Sequence, residues 1–342
     1  MRMEYNVFVK LRLYLFGKYD GPLSSQDTYR QAVQSAEEKS LDKAIALLPT
    51  YFSSMYAEDT LEREDMASLF TEGYMRPRGY ALYRYVPDVE LKELIGDMQK
   101  AEYPQKEIEA FATCFVKEIM HYEKVFRSSM PLLLFGKHIS GVDIDIPGTK
   151  KLEKALSLIP DYVDFLTGAD AINYFSEGFV DLDATLYSLV QKMRESNYSQ
   201  EAEVDFASAW FDAIEVQGKL SLMVMRLYLF GRFRYTGEVH KTVEILNPKW
   251  KNFEKALAII PRYIVYMKKY VDPRWDDGVR LSPRRTLENY LVPEMCEFGY
   301  PDSEIKEFSA KWLDYLDSLE RELTVAADKY IASLKGSNIL VQ

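Results

Sequence analysis

The chain has 342 residues, of which 47% are hydrophobic and 28% charged, a composition typical of a folded protein with a sizeable core rather than a disordered one. Its formal net charge of −10 argues against general binding to nucleic acid, because an acidic protein gains little from counterion release on a polyanion. The apolar runs are too short to cross a bilayer, so we expect no membrane partner.

Four landmarks recur three times, in the same order, along the chain. The first is Leu-Phe-Gly followed by a basic residue, and it begins at Leu15, Leu134 and Leu229. The second is an acid, Lys-Ala, an aliphatic run, then Pro and, after one intervening residue, Tyr; its lysines are Lys43, Lys154 and Lys255. The third is an acid before Gly73, Gly178 and Gly278. The fourth is a Tyr followed eight residues later by Phe, and it begins at Tyr103, Tyr198 and Tyr300.

Successive occurrences of each landmark lie about a hundred residues apart, which is the signature of one supersecondary unit stacked on itself. Only 16 glycines and 14 prolines, with 14% aromatic residues, favour long packed helices over a sheet sandwich. We therefore predict an all-α protein in which three tandem copies of a multi-helix unit form a helical-repeat body. The predicted repeats are residues 1–111, 112–206 and 207–342, the last with a long C-terminal helix.

The first helix of each repeat is predicted to end at Leu-Phe-Gly, where Gly136 and Gly231 are typical helix C-caps. We expect the segments that follow to be irregular connections. Two stretches within them, Ile139 to Ile146 and Val239 to Ile245, partly alternate between apolar and polar residues, so a short β ribbon is the alternative there.

The second helix carries Lys-Ala and is expected to stop or kink at Pro49, Pro160 or Pro261. A third helix is predicted over roughly 80–100, 183–195 and 285–298. The fourth begins with an acid that suits a helix N-terminus, at Glu107, Glu201 and Glu304.

In the first two repeats the fourth helix leads towards the next Leu-Phe-Gly, and Pro131 and Gly218 are expected to kink or split it on the way. In the last repeat, apolar residues at steps of three or four predict one long amphipathic helix from Ser303 to Leu334.

Two basic segments follow the third landmark in the first and last repeats. They carry the candidate ligand-binding residues Arg76, Arg78, Arg84, Arg280, Arg284 and Arg285. The corresponding segment of the middle repeat carries Asp181 and Asp183 and no base. Guanidinium groups bind carboxylate and phosphate through paired hydrogen bonds. Either the arginines face a common opening and bind an anionic partner, with the two aspartates on its third side, or they pair with the protein's own acids as ordinary surface charge.

Other chemistry has little material in this sequence. Glycine-rich phosphate loops are absent, and three histidines leave few ways to build a catalytic triad. Glu118 and His121 have the spacing of a helical metal site, with Cys114 one turn before them, but the other repeats lack matching ligands. We therefore predict no catalytic residue, no metal and no cofactor. Two cysteines, Cys114 and Cys296, favour reduced thiols and a cytoplasmic location.

These features favour a non-enzymatic interaction scaffold whose partner is another protein or a peptide. The alternative is a small anionic-ligand-binding protein or enzyme with a pocket, lined by Tyr and Arg, between repeats. A deep pocket of several hundred Å³ with convergent polar groups would favour that alternative, whereas a shallow apolar groove would favour the scaffold. The recurring lysines are expected to hold each repeat together, because packing needs them in every repeat whereas an active site is needed once.

Overall fold

The computed structural model describes residues 5–17, 39–58, 87–139, 143–167, 181–237, 241–270 and 282–337. The chain divides into two compact units, Met1–Val180 and Asp181–Gln342. The described residues are mostly helical, as the sequence predicts, and they also form two short β hairpins. The division falls inside the predicted repeat 112–206, so that repeat contributes to both units and the three-repeat boundaries stay a prediction.

The first unit consists of six helices and one β hairpin in its described residues. They are α1 (Tyr5–Phe16), α2 (Leu41–Glu58), α3 (Pro87–Lys100), α4 (Gln105–Tyr122), α5 (Ser129–Phe135), β1 (Lys137–Ile139), β2 (Asp143–Asp145) and α6 (Leu152–Thr167). An aromatic cluster fills the core between α2 and α4. The rings of Phe52 and Phe115 meet edge to face at 4.8 Å, and Phe111 lies 5.9 Å from Phe115. All three side chains are fully buried.

The second unit contains a second hairpin and the longest helix. Its described elements are α7 (Leu182–Glu195), α8 (Gln200–Val216), α9 (Val224–Phe230), β3 (Arg232–Thr236), β4 (Thr242–Leu246), a 3-10 turn (Pro248–Trp250), α10 (Phe253–Tyr270), α11 (Pro283–Thr286), a π-helical turn (Leu287–Leu291), α12 (Val292–Glu297) and α13 (Asp302–Ser337). Trp312 of α13 is fully buried and lies 6.0 Å from the Tyr263 ring of α10. The prediction of one long helix from Ser303 to Leu334 is confirmed.

The expectation of irregular connections after Leu-Phe-Gly is wrong at two places, where the β ribbon forms instead. Strands β1 and β2 pair antiparallel with His138 opposite Ile144, and β3 and β4 pair with Phe233 opposite Ile245. These four inward-facing side chains are each at most 2% exposed. The alternation of apolar and polar residues in the sequence therefore indicates a half-buried strand, because every second side chain of such a strand packs on the core.

The prolines of the second helix do not end it. Helices α2, α6 and α10 run through Pro49, Pro160 and Pro261 to Glu58, Thr167 and Tyr270. Each proline is followed, after one residue, by a buried tyrosine: Tyr51, Tyr162 or Tyr263. We attribute the continuation to that packing, which offsets the hydrogen bond that proline removes.

The fourth helix is split before the next Leu-Phe-Gly, as predicted. Gly218 lies in the break between α8 and α9 with φ 63°, a conformation that favours glycine. Pro131 lies in the first turn of α5, after the break between α4 and α5, where a missing N–H costs little.

Helix ends at the landmarks share one backbone geometry. Gly17, Gly136 and Gly231 have φ of 68°, 71° and 62°, and each donates its N–H to the carbonyl four residues earlier. The predicted C-caps at Gly136 and Gly231 are confirmed. The residue before the landmark tyrosine is also left-handed in each case, at Glu102, Asn197 and Gly299. The acid–Gly landmark itself lies outside the described residues.

Candidate functional site

The candidate arginines are only partly placed. Arg76, Arg78, Arg84 and Arg280 lie outside the described residues. Arg284 and Arg285 belong to α11 and are exposed, and Arg284 Nη2 lies 3.3 Å from Asp317 Oδ1 of α13. Both partners are about half exposed, at 49% and 57%, so this ion pair contributes little to stability. Whether the two clusters converge stays a prediction.

Of the two middle-repeat aspartates, Asp183 cannot line a common opening as the first alternative required. Asp181 caps α7, where its Oδ1 accepts hydrogen bonds from the backbone N–H groups of Asp183 and Ala184. The Asp183 side chain is only 2% exposed, and its Oδ2 accepts from the Met223 N–H at 3.2 Å, just before α9. Asp183 therefore joins α7 to α9 inside the unit and cannot contact a partner.

A Ser, an Asp and a His do meet in the first unit, which the sequence did not predict. The Ser128 hydroxyl donates to Asp88 Oδ1 at 2.6 Å, and His138 Nε2 lies 2.8 Å from the same oxygen. A nucleophilic triad needs the base between the other two groups, whereas here the carboxylate is central. All three side chains are at most 1% exposed, so substrate has no access. The cluster ties α3 to α5 and β1.

Glu118 and His121, which have the spacing of a helical metal site, lie on α4. Within the described residues, no group of three or more His, Cys, Asp or Glu side chains converges in a way that would hold a metal ion.

Two of the three recurring lysines lie near tyrosine rings, and the residue equivalent to these tyrosines in the middle repeat is Leu133. Lys43 Nζ is 5.8 Å from the Tyr14 ring centroid, and Lys255 Nζ is 5.6 Å from that of Tyr228. Each tyrosine is the residue before the leucine of Leu-Phe-Gly. These cation–π contacts join the second helix to the first in the way expected of a packing role. Lys255 differs because it also lines a cleft.

This cleft is formed by α8, α9, the 3-10 turn and α10 of the second unit and encloses about 440 Å³. Its apolar lining comes from Phe211, Ile214, Leu220, Val224, Leu227, Tyr228, Trp250, Ala258 and Ile259. Its polar lining comes from Asp212, Glu215, Lys219, Lys249, Asn252, Lys255 and Arg262. Four cations against two carboxylates make the cleft locally positive on a chain whose net charge is −10.

The break between α8 and α9 positions one end of the cleft. Gly218 in its left-handed conformation lets the Lys219 N–H donate to the Ile214 carbonyl, which closes the C-terminus of α8. Arg262 of α10 donates through Nη2 to the Gly218 carbonyl. A cation suits this position because the C-terminus of a helix carries partial negative charge. The turn therefore fixes Lys219 and Arg262 at the rim.

A polar network joins three lining residues of the cleft. Lys255 Nζ lies 2.6 Å from Glu215 Oε1, and the Tyr228 hydroxyl donates to Glu215 Oε2 at 3.1 Å. The Lys255 hydrogen bond lowers the pKa of Glu215, so the carboxylate is ionised at neutral pH. Burial, and then the charge of Glu215, raises the pKa of Tyr228 and keeps its phenol protonated. The network is stable and neutral overall, and it offers no activated nucleophile.

Two aromatic side chains, Trp250 and Phe211, also line the cleft. Trp250 is partly exposed, donates through Nε1 to Ser208 Oγ at 3.2 Å, and packs edge to face on Phe211 at 5.6 Å. The Asn247 side-chain amide donates to the same hydroxyl at 3.3 Å. These contacts fix the indole before any ligand binds, which lowers the entropic cost of binding on its face.

Lys219 and Lys249 supply the cleft's available positive charge. Among the described residues neither side chain pairs with a carboxylate, whereas Lys255 is held by Glu215 and Arg262 by a backbone carbonyl. The side chain of Lys219 is half-buried and that of Lys249 is exposed. An anionic group in the cleft would gain two cations without breaking an existing ion pair.

Of the residues that line the cleft, sequence reasoning singled out only Lys255, and it assigned Lys255 a packing role. The alternative hypothesis placed a Tyr- and Arg-lined pocket between repeats, whereas every lining residue of this cleft, including Tyr228 and Arg262, lies inside the predicted repeat 207–342. The available signal was Gly218, which predicts a helix break and hence a corner where side chains of two helices diverge.

Comparison with protein-family models, with curated proteins and with solved structures finds no match to this chain. Among the described residues, no helix combines the length and the apolar character that crossing a membrane requires.

Proposed function

We propose that the chain is a non-enzymatic, cytoplasmic helical-repeat protein that binds another protein or peptide, and that the cleft between α8, α9 and α10 holds an acidic segment of this partner. The observation that carries the proposal is the charge and the exposure of the cleft: it is locally positive on an acidic chain, and its lining residues Glu215, Lys249 and Lys255 are exposed, as in a surface groove. Its volume alone favours the second candidate described below. A segment with one or two carboxylates beside an aromatic or aliphatic side chain complements it in charge and polarity.

Contacts at matching landmarks support the three-repeat part of the proposal. Ser40, Lys151 and Asn252, each three residues before a landmark lysine, donate their N–H to the carbonyls of Tyr14, Leu133 and Tyr228 at 2.8, 2.6 and 2.7 Å. Each acceptor directly precedes the leucine of Leu-Phe-Gly. One long-range hydrogen bond thus recurs in all three predicted repeats, which unrelated local folds would not produce.

An ion pair recurs in the first and third predicted repeats. Arg12 lies 3.1 Å from Asp97, and Arg226 lies 2.7 Å from Glu294. Both arginines are three residues before the leucine of Leu-Phe-Gly, and both acids precede the methionine whose carbonyl accepts the N–H of the landmark tyrosine. The equivalent middle positions are Pro131 and Lys192, so the pair is not needed in every repeat.

Selection of peptides from a random display library on the full chain tests the function. We expect the selected peptides to combine Asp or Glu with an aromatic or aliphatic residue. Their binding should fall at least about tenfold in the Lys219→Glu, Lys249→Glu double variant, which reverses the available charge. Lys306→Glu on α13, exposed and outside the cleft lining, is the matched control. Selected peptides without acidic residues, or equal binding to the double variant, would contradict the proposal.

A small anionic ligand is the second candidate, favoured by the cleft volume of about 440 Å³, which falls in the range of small-molecule sites. Decanoate, which joins a carboxylate to an apolar chain, is a suitable probe. If this candidate is right, decanoate raises the melting temperature of the wild type and of Lys306→Glu but not of the double variant, and the display library selects no peptide.

The arginine segments stay proposed as a second contact with an anionic partner, through Arg76, Arg78, Arg84, Arg280, Arg284 and Arg285. Substituting Arg284 and Arg285 by Ala tests this role. We expect the double variant to lose stabilisation by inorganic phosphate while its melting temperature without phosphate is unchanged, since both side chains are exposed. Unchanged stabilisation would leave the arginines as ordinary surface charge.

A further inference from the structure

The second half of α13 is an exposed helix. Phe308, Trp312 and Leu316 are at most 2% exposed and pack α13 on its own unit. From Glu320 to Lys329 every residue is exposed, including Leu323 at 57% and Val325 at 53%. Leu323 is therefore a large apolar side chain that the described residues of its own unit leave uncovered.

The apolar residues of this segment follow a coiled-coil pattern. Leu316, Leu319, Leu323 and Ala326 are separated by three, four and three residues, the a and d positions of a heptad. The same spacing continues in the sequence to Tyr330. Leu316 is already buried within the unit, so the seam open to a partner begins at Leu319, which is half-buried.

Charge complementarity identifies the partner and its direction. In this register Glu322 and Lys329 occupy the g positions, next to the seam, and both are exposed. In an antiparallel pair of identical helices, the g positions of one helix lie beside the g positions of the other. If Leu323 lies opposite Ala326 of the second molecule, Glu322 of each molecule lies near Lys329 of the other, which gives two ion pairs related by the twofold axis. A parallel pair would set g against e, Glu322 against Ala327, and would gain no charge pair.

We propose that the chain self-associates through an antiparallel pairing of α13, centred between Leu323 and Ala326, with two Glu322–Lys329 ion pairs across the twofold axis. The pairing is isologous, as expected for a closed dimer of identical chains. It is short, so the dimer dissociates on dilution. The inference rests on α13 alone and is independent of the ligand of the cleft.

Sedimentation equilibrium of the full chain over a range of concentrations tests the pairing. We expect the wild type to be a reversible monomer–dimer and Leu323→Glu to be monomeric. Glu322→Lys and Lys329→Glu should each raise the dimer dissociation constant about fivefold, since each replaces attraction by repulsion at two sites. The double variant Glu322→Lys, Lys329→Glu should return to the wild-type value, because both ion pairs are restored with reversed polarity.

Asp328→Lys is the matched control, since it makes the same charge change at an exposed position away from the seam and should leave the dissociation constant unchanged. All substituted residues are exposed, so each variant should retain the wild-type melting temperature of the monomer. A wild type that is monomeric throughout, or a dimer that Leu323→Glu leaves intact, would overturn the proposal. Failure of the double variant to recover would overturn the antiparallel register.

Discussion

At the residue scale, the left-handed glycines of Leu-Phe-Gly have unequal surroundings. A Cβ added to Gly231 would lie 2.8 Å from the Asn247 carbonyl oxygen and 3.2 Å from Pro248 Cα, both backbone atoms. A Cβ added to Gly136 would first meet the Lys150 side chain at 3.5 Å, an ordinary contact. The left-handed backbone angle favours glycine at both positions. At Gly231 the close approach of the Asn247 and Pro248 backbone is a second reason for glycine.

Gly231→Ala should therefore destabilise the protein more than Gly136→Ala. We expect Gly136→Ala to lower the free energy of unfolding by about 1 kcal/mol, the cost of a left-handed alanine. Gly231→Ala should lower it by roughly 3 kcal/mol, because the strand β4 and the 3-10 turn must also move. Urea denaturation followed by circular dichroism measures both. Equal losses would show that the turn accommodates the methyl group.

Asp183 is the residue whose ionisation opposes folding most clearly. Burial, and then the neighbouring charge of Asp181, raises the pKa of Asp183 to about 7 from an ordinary 3.8. The folded state therefore holds a proton over a pH range in which the unfolded state has lost it. This group's contribution to the free energy of unfolding is greatest below about pH 4, falls as the pH rises, and levels off above about pH 7.

Asp183→Asn should flatten that dependence. The amide oxygen can still accept the Met223 N–H but carries no charge. We expect the variant to match the wild type near pH 4 and to have a higher melting temperature at pH 8. Asp205→Asn, exposed on α8, serves as the control and should follow the wild type at both values. A variant less stable than the wild type at pH 8 would contradict the prediction.

At the element scale, a tyrosine closes the first helix of two predicted repeats. The Tyr103 hydroxyl donates to the Leu15 carbonyl, and the Tyr300 hydroxyl donates to the Leu229 carbonyl. Each ring also has a lysine above it: Lys39 is 4.0 Å from the Tyr103 centroid, and Lys251 is 4.1 Å from that of Tyr300. In both repeats the tyrosine of the fourth landmark thus donates a hydrogen bond to the leucine carbonyl of Leu-Phe-Gly.

Tyr103→Phe and Tyr300→Phe should each lower the free energy of unfolding by about 1 to 3 kcal/mol, because a buried carbonyl loses its donor while the ring is kept. If the three repeats are real, Tyr198→Phe should cost a similar amount. Tyr315→Phe on α13 lies outside the landmarks and is the control. Urea denaturation measures all four variants, and a neutral Tyr198→Phe would count against the middle repeat.

At the scale of the whole molecule, charge decides which macromolecules can bind. The net charge of −10 repels polyanions at long range, and the cleft offsets it only locally, with four cations and two acids. We expect no retention of random DNA or RNA at submicromolar protein and physiological salt in a mobility-shift assay. Retention that weakens steeply with added salt would show that a larger basic surface exists.

The sequence alone determined the helical class and the helix ends at Leu-Phe-Gly. Leu-Phe-Gly fixed where the first helix stops because only glycine readily takes the left-handed angle at a helix end, and Gly218 marked the break between α8 and α9. Apolar residues at steps of three and four from Ile305 onwards predicted α13, since this spacing puts them on one face of a helix. Such local signals depend on residues within one or two turns of one another.

Only the tertiary structure decided which polar residues meet. Asp183 looks like a surface acid in the sequence but is buried, because packing of α7 on the start of α9 encloses it. Glu215, Tyr228 and Lys255 come from three helices, and no spacing along the chain predicts that they share one cleft. Helices α2, α6 and α10 continue past their prolines, which we attribute to the packing of the buried tyrosine that follows each proline. In each case, burial and contacts between residues far apart in the sequence outweigh local helix propensity. The same contacts bring the cleft residues together.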